Sequence, residues 1–149
     1  MAVAEDAGRG VVVTSTRTVL YAVLVVTAVS LVGAVISVRT GLSPTYLDAV
    51  GPEGYLSVPL PMTAFQVLTA LAAGSRRRPV ALLGAGLLGL AVTLAVVSGF
   101  FDGGYADDRL CAAQRGCQMV LVVSLCAVAV LAAVRFQRVW RSGAEDDSH

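Results

Sequence analysis

The sequence predicts an all-α integral membrane protein: a four-transmembrane-helix bundle with both termini cytoplasmic and a short outer surface helix between spans 1 and 2. Three observations carry this expectation. Of the 149 residues, 56% are hydrophobic and only 14% charged, a balance far from that of soluble domains. Four apolar runs of roughly bilayer-crossing length are separated by short polar breaks. All eleven basic residues are arginine, and most gather on alternate breaks, as the positive-inside rule demands of a chain that crosses back and forth.

Residues 1–17 read as a disordered cytoplasmic N-terminus, residues 18–141 as the membrane domain and residues 142–149 as a disordered acidic tail. The first span covers about 18–38, between Arg17 and Arg39, and as a helix reaches about 31 Å. Arg9 and Arg17 precede it and Ala34, Ser37 and Gly41 are small, so a cleavable signal peptide competes. The apolar core is too long for one and three further spans follow, so an uncleaved span is expected.

The second span covers about 58–76, with Ser57 as a cap and Pro59 and Pro61 in its first turn, where missing amide donors cost least. Ser75, Arg76, Arg77, Arg78 and Pro79 end it. The third span covers about 80–101 and the fourth about 113–135. Arg135, Arg138, Trp140 and Arg141 then form a basic and aromatic collar. Between spans 1 and 2, Ser43 reads as an N-cap, Pro44 as a first helical residue and Gly51-Pro52 as a stop, which predicts a short helix over about 44–50. On it, Tyr46, Leu47 and Val50 would face lipid or bundle and Asp48 water.

With the termini and the 75–79 break inside, Arg9, Arg17, Arg76, Arg77, Arg78, Arg135, Arg138 and Arg141 lie inside, against Arg39, Arg109 and Arg115 outside. Both termini are therefore expected in the cytoplasm. Tyr46, Tyr55 and Tyr105 would mark the outer interface and Trp140 the inner one. Because lipid removes most of the hydrophobic drive for helix association, small residues should form the seams. Ala81, Ala85, Gly89 and Thr93 recur every four residues, with Gly84 and Gly86 beside them, and Thr27, Ser30, Gly33, Ala34 and Ser37 share one side of the first span.

Gln66 is the most polar side chain deep in a span, with Thr63 and Thr69 three residues to either side, and is expected to bond across helices or touch a ligand. No acid or base occurs at that depth, as a proton or ion path requires. The chain resembles the small four-helix drug exporters in length and span number, but residues 18–38 hold no counterpart of the glutamate those proteins carry in their first span.

The polar break between the third and fourth spans holds Asp102, Gly103, Gly104, Asp107, Asp108 and Arg109, and Arg115 and Gln118 follow at the start of the fourth span. Asp102-Gly103-Gly104-Tyr105-Ala106 resembles the opening of the DGxxAR signature of CDP-alcohol phosphotransferases, which hold divalent metals with aspartates. Asp107 occupies the arginine position and Gly99 an aspartate position, so no metal-binding role is carried over. The plainer reading is a turn, with Asp107 or Asp108 capping the fourth helix. Cys111 and Cys117 would face an oxidising compartment, yet residues six apart on one helix lie about 9 to 10 Å apart, so a disulfide needs a break at Gly116. Cys126 reads as a small packing residue.

The only histidine is terminal His149, which removes the usual part of metal sites and catalytic triads. A non-enzymatic protein without cofactors is expected, with the lipid bilayer, a membrane-protein partner or a second copy as partners and no nucleic acid. The arginine-only basic set with much Ala, Val and Gly points to a bacterial, GC-rich source and to the cell membrane. The expected role is an accessory or structural subunit. The alternative is a small carrier or ligand binder with an outer-half cavity near Gln66, Asp102 and Gln118, in which Arg115 could take part.

Overall fold

The computed structural model describes residues 16–51, 56–101 and 110–146. All regular structure in them is helical: α1 Thr16–Arg39, α2 Tyr46–Ala49, α3 Leu60–Ala73, α4 Arg78–Phe101 and α5 Ala112–Asp146. Three of these, α1, α4 and α5, are long and apolar enough to cross a membrane. The second expected span differs. Its helix has 14 residues, about 21 Å, which falls short of a hydrocarbon core of about 30 Å. Residues 58 and 59 are not helical, and the chain turns again at residue 74.

Pro59, not Ser57, is the N-cap of α3, and Pro61 lies in its first turn. Ser57 lies two residues before that cap, and its hydroxyl donates to the Ala49 carbonyl. The lead of Leu56, Ser57 and Val58 is buried although it is not helical. Buried backbone of this kind needs hydrogen bonds supplied by the protein. Here the Val58 amide donates to Ser30 Oγ at 2.7 Å, and the Leu60 amide to the Val50 carbonyl at 3.0 Å.

The long helices and α3 close a ring in the order α1, α3, α4, α5, each packed on two neighbours. End contacts make every neighbour antiparallel. Thr40, just past α1, meets Gln114 at the start of α5, while Arg78 at the start of α4 meets Trp140 near the end of α5. The core runs through Val19, Val23 and Val26 of α1, Val58 and Ala70, Leu88 and Val92 of α4, and Leu121, Leu125, Val128 and Ala132 of α5.

Small residues mark the closest approaches, and these lie within one chain. A Cβ on Gly33 would fall 2.1 Å from the Leu56 carbonyl oxygen, and one on Gly84 would fall 2.3 Å from the Ala73 nitrogen. Ser30, Gly33, Ala34 and Ser37 are buried as their spacing predicts. On α4 the expected line of Ala81, Ala85, Gly89 and Thr93 holds only for its first half. Ala81 and Ala85 are buried, but the line continues through Leu88 and Val92, and exposed Thr93 returns its hydroxyl to the Gly89 carbonyl. A step of four residues drifts about 40° per turn against the 3.6-residue helix, so alternating steps of three and four keep the seam.

The connection after α1 ends in a Schellman motif. Gly41 has φ of 76°, with its amide on the Val38 carbonyl and the Leu42 amide on the Ser37 carbonyl. The surface helix is shorter than the expected 44–50, and Thr45, not Ser43, caps it by accepting from the Asp48 amide. Ser43 is buried before the helix, where its hydroxyl pairs with Ser37 Oγ at 2.8 Å. Tyr46 and Leu47 are exposed and Ala49 is buried against the bundle.

The fourth span also differs. α5 has 35 residues, about 52 Å, and residues 142–146, expected to belong to a disordered tail, continue it. No proline interrupts this stretch, and elongating an existing helix is far easier than starting one. The helix start at Ala112 places the cap at Cys111, not at Asp107 or Asp108.

Candidate functional site

Polar side chains gather at the end of the bundle that carries α2. Ser37 and Ser43 pair with each other. Gln114, buried on the first turn of α5, does two things. Its Oε1 accepts from the Cys111 amide at 2.7 Å, so the third helical residue reaches back to the cap as in a capping box. Its Nε2 donates to Thr40 Oγ1 at 2.8 Å, which ties α5 to the end of α1. Thr40 in turn donates to the Ile36 carbonyl at 2.8 Å. Ser57 holds α2 through the Ala49 carbonyl, and Ser30 holds the lead into α3. Each of these groups is satisfied by the protein itself, so the cluster locks the connections together and offers no idle nucleophile or base.

Gln66 is the exception. It is 1% exposed, and its side-chain nitrogen has no hydrogen-bond partner. The hydroxyls of Thr63 and Thr69, three residues to either side, turn to backbone carbonyls and not to its side-chain amide. The Thr69 hydroxyl donates to the Phe65 carbonyl at 2.8 Å, and that of Thr63 is directed to the carbonyls of Val58 and Pro59. A buried amide left without a partner costs on the order of 1 to 3 kcal/mol.

Asp102, with Asp107, Asp108 and Arg109, lies outside the described residues, so the expected grouping of Gln66, Asp102 and Gln118 is not traced as a unit. Gln118 is half-buried one turn below Gln114, and Arg115 is exposed; both are engaged in interactions. Cys111, Cys117 and Cys126 are free thiols. Because α5 runs unbroken through Gly116, Cys117 follows a helical path away from Cys111. No group of three or more His, Cys, Asp or Glu that could hold a metal occurs among the described residues.

Sequence reasoning missed Gln114 as the joint between α1 and α5. Its signal was present, since a Gln three residues after a helix cap is the capping-box position, but it required the correct start. The fold and site together define a class: among the described residues, an all-helical protein with three helices long and apolar enough to cross a membrane. Comparison with known proteins finds no matching family model, no similar characterised protein and no similar solved structure.

Proposed function

We propose that this chain is a multi-pass protein of the bacterial cell membrane that crosses the bilayer four times, with both termini cytoplasmic, and serves as a structural or accessory subunit. In this reading α3 and its buried lead of residues 56–59 make one crossing together. The observation that supports it is the closure of the polar cluster at the α2 end. Ser37, Ser43, Ser57 and Gln114 all bond within the chain, which leaves helix faces of exposed apolar residues such as Leu24, Leu31, Leu83 and Leu90 for lipid or for another membrane protein. Affinity purification of the tagged protein in mild detergent tests it: a partner recovered in fixed proportion, or a defined homo-oligomer, is the expected outcome. A monomer free of partners would overturn it.

The second reading, a small carrier or ligand binder, has one observation in its favour: the unpartnered nitrogen of Gln66. A ligand with a hydrogen-bond acceptor would satisfy it. Native mass spectrometry should then show a bound small molecule or lipid that disappears in Gln66→Leu, and an unliganded native protein would remove this reading.

A further inference from the structure

We propose that the end of the bundle opposite α2 is a binding site for the headgroup of an anionic phospholipid, held between the α3–α4 turn and the flank of α5. The proposal rests on the membrane-spanning reading above. Arg76, Arg77 and Arg78 are consecutive and exposed. Their backbone is not loose: the Ser75 amide bonds to the Ala72 carbonyl, the Ala81 amide to the Arg77 carbonyl, and the Arg77 amide to Ser75 Oγ.

The turn is fastened to α5 at two points. Arg135 Nε donates to the Ala73 carbonyl at 3.3 Å, capping the end of α3, and the Arg78 guanidinium donates to the Trp140 carbonyl at 3.3 Å. Residues distant in sequence thereby form one surface carrying Arg76, Arg77, Arg78, Arg135 and Arg141. Among the described residues none of these five forms an ion pair with a carboxylate. α4 begins here, so the positive end of its dipole adds to the same field.

Depth and shape favour a lipid over a free anion. From Arg135 to Arg141 α5 rises about 9 Å, close to the headgroup layer of about 5 to 8 Å on each side of the hydrocarbon. Trp140 lies among these arginines, 60% exposed, with its ring stacked on Phe136 at a centroid separation of 6.1 Å. An indole beside guanidinium groups suits the boundary where acyl chain meets phosphate. Clustered basic residues at such a boundary each strengthen attachment to anionic lipid about five-fold.

Trp140 is the only tryptophan of the chain, so its fluorescence reports which lipid touches the site. The full-length protein is placed in phosphatidylcholine bilayers containing a minor fraction of phosphatidylglycerol brominated near the headgroup end of one chain, or the same fraction of equally brominated phosphatidylcholine. Greater quenching by the phosphatidylglycerol is expected. That preference should weaken in high salt, persist in added inorganic phosphate, and fall by about ten-fold or more in R76Q/R77Q/R141Q, which alters only exposed side chains. R76K/R77K/R141K, which retains the charge, should keep it. Equal quenching by the two lipids overturns the proposal while leaving the membrane reading intact, as does a preference that survives the glutamine variant or one that inorganic phosphate abolishes. Quenching by neither lipid overturns both.

Discussion

At Gln66 the chain places a primary amide in an apolar interior and leaves its nitrogen without a partner, so its removal should help. Met has nearly the same length and volume with no donor to satisfy. Gln66→Met is expected to raise unfolding stability by about 1 to 2 kcal/mol, read as a rise in the thermal midpoint in a fixed detergent; a fall would mean that the amide is bonded in the native membrane. Gly33 makes the opposite case. With the Leu56 carbonyl oxygen 2.1 Å from where a Cβ would stand, Gly33→Ala must push the lead of α3 away from α1. A loss of about 1 to 3 kcal/mol is expected in the same measurement. Helical spacing alone revealed that Ser30 and Gly33 face inward. It could not reveal that they meet a bare stretch of backbone, because that pairing depends on how a segment far along the chain folds back.

Among the elements, α3 departs furthest from what its residues suggested. Its first residues, Val58 to Met62, carry no polar side chain, and periodicity does not distinguish a helical turn from an extended lead over so short an apolar stretch. The distinction lies in Ser30, whose hydroxyl accepts the Val58 amide that no helical carbonyl faces it to pair with. Ser30→Ala leaves that buried donor unsatisfied. A cost of about 1 to 3 kcal/mol is expected, accompanied by faster hydrogen exchange confined to residues 56–60, whereas Ser30→Thr should preserve the bond. α5 departed for a different reason. Its apolar segment was legible, but its start rests on Gln114, which accepts from the Cys111 amide and reaches Thr40, and its far end runs past Trp140 to Asp146. The surface helix α2 was legible as an element, but its cap is Thr45, two residues beyond Ser43.

For the whole molecule, threading follows from one ruler. Gln114 bonds Thr40 at one end of the bundle and Trp140 bonds Arg78 at the other. The helix between them rises about 39 Å, more than the hydrocarbon thickness of about 30 Å. If α5 crosses the membrane, the α2 connection and the arginine turn must lie on opposite sides, and the short α3 must cross with its lead. The arginine distribution then selects the side. Single cysteines introduced into a variant lacking Cys111, Cys117 and Cys126 test both steps. Leu47→Cys is well placed because Leu47 is 77% exposed, and Arg76→Cys because Arg76 is exposed on the opposite turn. In intact cells a membrane-impermeant maleimide should label Leu47→Cys and not Arg76→Cys, and permeabilised cells should label both. The reverse pattern would invert the protein while keeping four crossings. Labelling of both in intact cells would mean that residues 47 and 76 share a side, which the length of α5 allows only if α5 does not cross.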